Sequence, residues 1–112
     1  KMKILLIAFT LFSSILGYHE KTAAIKVWGN CGMCKARIEK TLKIDGVNKA
    51  EWNVETKMLT VSYDSNTINL DQIKQAVATA GHDTEKFRSA DSDYAKLPGC
   101  CRYDRETEKT DN

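Results

Sequence analysis

Between Thr22 and Phe87 the sequence predicts an α+β domain of order βαββαβ, with four antiparallel strands in one sheet and two helices on one face. Three observations carry this. Period-two alternation of apolar and polar residues at 24–28, 47–54 and 58–63 reads as strands. Two stretches with apolar residues at helical spacing read as amphipathic helices. Turn signals at Gly29-Asn30, Asp45-Gly46 and Gly81 separate the segments. That order is the split βαβ sandwich of ferredoxin-like domains.

The first strand, Ala24 to Trp28, turns Ile25 and Val27 inward, and Gly29-Asn30 ends it. Met33 to Lys43 is the first helix. Ile38 and Leu42 share its buried side, while Lys35, Arg37, Glu39, Lys40 and Lys43 cover the remainder. Val47 to Val54 places Ala50, Trp52 and Val54 on one face. Glu55-Thr56-Lys57 makes a hairpin turn into Met58–Tyr63, where Leu59, Val61 and Tyr63 point inward. The second helix carries the clearest local signal. Asn69 is its N-cap, Gln72 completes a capping box, and Ile68 with Ile73 forms a hydrophobic staple. Leu70, Ile73, Val77 and Ala80 line its apolar side, and Gly81 stops it. Thr84 to Phe87 closes the sheet as a short fourth strand. The expected core is Ile25, Val27, Ile38, Leu42, Val47, Trp52, Val54, Leu59, Val61, Ile73, Val77 and Phe87.

Outside this unit the composition changes. Lys1-Met2-Lys3 precedes an uncharged run from Ile4 to Leu16, so residues 1–17 read as a secretory signal peptide. The run is shorter than the ~20 apolar residues of a bilayer span. With Ile15 ahead of Gly17 the cleavage signal is weak, and a retained N-terminal membrane anchor is the alternative. Residues 18–88 then form the folded domain, exported and expected in the periplasm, where thiols meet oxidising conditions. Residues 89–112 read as an extended polar tail carrying Cys100-Cys101.

The chain of 112 residues has 17 Lys and Arg against 15 Asp and Glu, for a formal charge of +2. Without Lys1 and Lys3 the signs balance, which excludes the basic stripe of an electrostatic nucleic-acid binder. No convergent acid/base set suggests a hydrolytic enzyme. Four cysteines in so short a chain are the feature to explain.

Cys31-Gly32-Met33-Cys34 is a C-x-x-C at the first strand-to-helix junction. A helix start offers unpaired amides and a partial positive charge, which favour thiolates. Thiolates select soft ions such as Cu(I), and Hg(II) suits the same two sulfurs. A closed structural zinc site needs four ligands, and only one such pair is present. The same pair also suits a disulfide or a thiol–disulfide oxidoreductase. The sole proline, Pro98, supplies no thioredoxin-like cis-Pro loop.

Residues 29–42, Gly-Asn-Cys-Gly-Met-Cys-Lys-Ala-Arg-Ile-Glu-Lys-Thr-Leu, are followed by Gly46-Val47, a strand at Val54 and Leu59-Thr60-Val61-Ser62-Tyr63. Together they resemble the heavy-metal-associated domain family, which includes copper chaperones, the amino-terminal domains of copper-transporting ATPases and periplasmic mercury-binding proteins. The resemblance covers Thr22 to Phe87. It implies metal held between Cys31 and Cys34. The family motif carries Met two residues before its first cysteine, packed under the loop. Here Gly29 stands in its place.

Candidate accessory ligands are His82, in the loop after the second helix, and Met33, Cys100 and Cys101. His19 is a further Cu(II) candidate if it lies at a free amino terminus. Bridging Cys100 to Cys101 would be strained, since adjacent Cα atoms lie ~3.8 Å apart against a usual ~4.4–6.8 Å in disulfides. The function expected is binding of a soft cation, Cu(I) or Hg(II), and its delivery by ligand exchange. The partner would be a metal-transporting membrane protein or another metal-binding domain. The protein is expected to be a monomer, without a nucleic-acid partner and not membrane-spanning once the signal is removed. Lys35, Arg37 and Lys40 are either a solvated face or a docking surface for an acidic partner. Passive sequestration and thiol–disulfide exchange are the alternatives.

Overall fold

A computed structural model describes residues 19–105. The apolar run of 4–16 and the last residues, 106–112, lie outside the described residues. The elements are β1 (Glu20–Lys26), α1 (Gly32–Thr41), β2 (Val47–Trp52), β3 (Met58–Asp64), α2 (Leu70–Thr79), α3 (Asp91–Ala95) and a 3-10 turn (Gly99–Cys101). The sheet has order β1-β3-β2, and both pairings are antiparallel.

Register follows from the alternation. Ile25 and Trp52 both oppose Leu59 across the central strand, and Ala23 and Ala50 both oppose Val61. A one-residue slip would turn these apolar side chains to the other face. Ile38 and Leu42 near the end of α1 and Ile73 and Val77 of α2 join the same buried cluster. The β2–β3 hairpin forms where expected. Asn53 Oδ1 accepts the N–H groups of Glu55 and Thr56 at 2.8 and 2.9 Å. At the start of α2, Asn69 Oδ1 accepts from Gln72 N at 2.8 Å, and Gln72 Oε1 accepts from Asn69 N at 2.9 Å. The capping box is complete, and Ile68 and Ile73 are both buried.

The fourth strand differs from expectation. Thr84 touches Val27 in one isolated antiparallel bridge, and no strand extends from it among the described residues. The position is the one a fourth strand takes beside β1. A tight turn cuts it short: Thr84 N donates to Phe87 O at 2.8 Å, and Phe87 N returns to Thr84 Oγ1 at 3.1 Å. Those groups are therefore satisfied locally and cannot serve a sheet ladder. Phe87, expected in the core, is only partly buried and lies outside the buried cluster.

The expectation of an extended polar tail fails for residues 89–105. They form α3 and the 3-10 turn, and Leu97, Cys101 and Tyr103 enter the core. Gly81 makes room for this. Its φ of +107° ends α2, and a Cβ there would lie 3.0 Å from Leu97 Cγ and from the Asp93 carbonyl oxygen. The Tyr103 hydroxyl donates to Gly81 O at 2.8 Å and accepts from Asp83 N at 2.9 Å. Arg105 binds Asp83 through Nε at 3.1 Å and Nη2 at 2.8 Å, and reaches Asp91 Oδ1 at 2.9 Å. This forked, charge-assisted pairing locks the extension to the loop after α2.

Candidate metal centre

Strand β1 runs out at Lys26, and the chain crosses Trp28-Gly29-Asn30 to Cys31, the N-cap of α1. Cys34 lies one turn in and is fully buried, whereas Cys31 is half-buried. Asn30 N donates to Cys34 Sγ at 3.3 Å. Cys31 makes no side-chain capping bond. The N–H groups facing its sulfur, Cys34's most strongly and then Met33's, hold its thiol below the ordinary cysteine value. The helix start thus favours a thiolate at the more accessible of the two cysteines.

A tryptophan lies beneath this loop. The Trp52 indole is fully buried, and its Nε1 donates to Val27 O at 3.0 Å. A Cβ on Gly29 would lie 3.1 Å from Trp52 Cη2 and 3.3 Å from Cys34 Cβ. Gly29 therefore lets the ring lie against the cysteine loop, in a chain whose motif lacks the packing methionine. Glu39 ties the same region together. Its Oε2 accepts from Trp52 N at 2.9 Å and from Lys35 Nζ at 2.6 Å. Lys35 is thus engaged with Glu39 and the Trp52 carbonyl, and Arg37 Nη2 reaches Ala80 O at 3.4 Å. Of the three basic residues expected on one face, only Lys40 is exposed.

All four cysteines are free thiols. The sulfurs of Cys31, Cys34 and Cys101 all lie within 4.8 Å of one another. Cys100 points elsewhere. It is exposed, with its thiol 3.4 Å from the sulfur of Met33, a half-exposed side chain. The Cys100 carbonyl accepts from Asn30 Nδ2 at 3.2 Å and from the Cys31 thiol at 3.7 Å.

His82 is a buried structural residue and stands outside the sulfur cluster. Its Nδ1 lies 2.9 Å from Trp28 O, and its ring stacks on Tyr103 with centroids 5.6 Å apart. Nε2 is buried and has no hydrogen-bond partner among the described residues. Burial, chiefly, with Arg37 adding to it, holds the imidazole below its usual pKa; the Trp28 carbonyl and Asp83 oppose this more weakly. The sign of the linkage is then fixed. As pH falls through the usual ~6.5, the unfolded chain takes up a proton that the folded chain resists, and stability is lost. The urea midpoint is expected to be lower at pH 5.5 than at pH 7.5. His82→Asn, which keeps a donor toward Trp28 O, should reduce that slope; an unchanged slope would remove His82 from the account. His19 is exposed, and its carbonyl accepts from Ser65 N at 2.8 Å.

Fold and site together define a class of small α+β domains with a thiol pair at the first strand-to-helix junction. Residues 30–83 match the heavy-metal-associated domain family. The copper chaperone CopZ of Staphylococcus aureus (strain bovine RF122 / ET3-1) is 40% identical over 55 residues, 48% of this chain and 81% of the relative. The chain belongs to the heavy-metal-associated domain family. Among solved structures, the N-terminal domain of a potential copper-translocating P-type ATPase from Bacillus subtilis, in its Cu(I)-loaded state, is 33% identical. It aligns with a TM-score of 0.55 over 58% of this chain and 84% of that one. Oxidized MerP from Ralstonia metallidurans CH34 is 26% identical, with a TM-score of 0.56 over 59% and 94% of the two chains. The curated relatives are named copper chaperones, so the likeness is to metallochaperones and not to enzymes. Among the described residues no helix is long and apolar enough to cross a membrane.

Proposed function

We propose that this chain binds Cu(I) as cargo through Cys31 and Cys34 and hands it to the metal-binding domain of a copper transporter. One observation carries the reading: the family's thiol pair lies at the start of α1, one sulfur accessible and favoured as a thiolate, the other buried. Thiolates select Cu(I) over harder ions. The copper named in the chaperone relatives, and the Cu(I)-loaded ATPase domain, favour Cu(I) over Hg(II). Transfer runs by ligand exchange. A partner thiolate attacks the bound ion from the accessible Cys31 side, a three-sulfur intermediate forms, and Cys34 is the last sulfur to leave. The ion keeps its oxidation state, and each departing thiolate is free to take up a proton from solvent. The apolar run of 4–16 supports export, with delivery in the periplasm.

Delivery and sequestration separate in one mixing experiment. The Cu(I)-loaded chain is combined without oxygen with an equimolar metal-free ATPase metal-binding domain, and the two are separated and assayed for copper. Partition between both proteins within minutes is expected. Retention of all copper by this chain would favour sequestration.

A further inference from the structure

We propose that the C-terminal extension supplies Cys101 as a third sulfur to the Cys31–Cys34 site, so that this chain holds its ion in an internally completed, three-thiolate centre. The inference rests on the Cu(I) reading above and adds to it a ligand from outside the segment matched to the family, residues 30–83.

The first support is geometric. With metal–sulfur bonds near the ~2.3 Å of zinc thiolates, a trigonal ion needs sulfurs ~4.0 Å apart and a linear one ~4.6 Å. The sulfurs of Cys31, Cys34 and Cys101 lie within 4.8 Å of one another, so little movement separates this arrangement from a bound one. The second support is placement. Cys101 is fully buried beside Cys34, and its own backbone N–H and carbonyl are both held by hydrogen bonds. Cys101 N donates to Pro98 O at 2.8 Å, and Tyr103 N donates to Cys101 O at 2.9 Å. Asn30, in the cysteine loop itself, binds the Cys100 carbonyl. The third support is the anchor. Leu97 packs on Gly81, Tyr103 bridges Gly81 and Asp83, and Arg105 grips Asp83. A tail merely passing the site would not be fixed on both sides of the cysteine.

Cys100, one residue earlier, is exposed and lies against Met33, so the adjacent cysteines have different roles. When the ion binds, Cys101 loses its proton to solvent as the sulfur–metal bond forms. The third position is then already filled. An incoming partner thiolate replaces Cys101 first, and the chain releases its ion more slowly than a two-sulfur site does.

The test is X-ray absorption of the full chain, loaded anaerobically with one equivalent of Cu(I), beside Cys101→Ala and Cys101→Ser. Three sulfur neighbours are expected in the unsubstituted chain and two in either variant. Affinity, measured by competition with a chromophoric Cu(I) chelator, should fall at least ~10-fold, the lower end of what a lost supporting residue costs. Two sulfur neighbours in the unsubstituted chain would overturn the third ligand and leave Cys31 and Cys34 in place. Failure of the unsubstituted chain to bind Cu(I) tightly would overturn both readings. The coordination number of the unsubstituted chain decides the matter even if neither variant folds.

Discussion

Cys31→Ser and Cys34→Ser are each expected to weaken Cu(I) binding by more than ~100-fold, the upper end of what losing a mere supporting residue costs a metal site. Removing both should abolish stoichiometric binding. Cys31 is the accessible sulfur, favoured as a thiolate by the amides of Cys34 and Met33, so its loss removes the ligand that first meets the ion. Cys34 is buried and accepts from Asn30 N. A serine there keeps an acceptor for that amide, so the fold is expected to survive while the soft ligand is gone. Cys101 does not replace either one. Burial, with Cys34 beside it, pushes its thiol well above the ordinary value, so without a preformed pair it remains protonated. Chelator competition on each variant, with circular dichroism to check folding, gives the measurement. Undiminished affinity in both single variants would remove the pair from the site.

Trp52→Ala is expected to cost ~3–5 kcal/mol of stability, the usual range for truncating a buried tryptophan. Small domains have only ~5–15 kcal/mol in total, so unfolding at moderate temperature is expected. The ring is fully buried, lies against Gly29, and donates to Val27 O. Its backbone N–H is also held by Glu39 from α1. Truncation opens a cavity directly under the cysteine loop and leaves the Val27 carbonyl without its indole donor. Trp52→Phe, which restores most of the volume but not the donor, should recover part of the loss. Urea denaturation of the three proteins measures both effects. A midpoint for Trp52→Ala within error of the parent would contradict the ring's role as the floor of the site.

The parts of this domain legible in the sequence are those governed by local chemistry. Asn69 and Gln72 announce a capping box through spacing alone, and it forms. Ile25, Leu59 and Val61 announce inward strand faces, and all three are buried, with Ile25 opposite Leu59. The C-x-x-C lies at the helix start where the alternation ends. Other features depend on contacts far apart in sequence. The fourth strand failed because Thr84 and Phe87 bond each other, and the hydroxyl that makes this possible leaves no trace in an apolar pattern. The buried extension was harder still. Leu97, Cys101 and Tyr103 stand on either side of Pro98-Gly99, which breaks any regular period, and their partners are Gly81, Asp83 and the cysteine loop. The one local hint was the apolar island from Tyr94 to Cys101 around Pro98-Gly99. The burial of His82 depends on distant contacts in the same way. The sequence places it in a turn, and only Tyr103 and Trp28, distant in sequence, enclose it.

Anaerobic titration of the reduced chain with Cu(I) under a competing chelator, with bound ions and reactive thiols counted in the same sample, decides whether Cys31 and Cys34 hold the ion. One tightly held ion per chain is expected, with Cys31 and Cys34 protected from alkylation and Cys100 still reactive. A chain that holds no ion tightly, or that holds one while Cys31 and Cys34 both remain open to alkylation, would contradict that assignment.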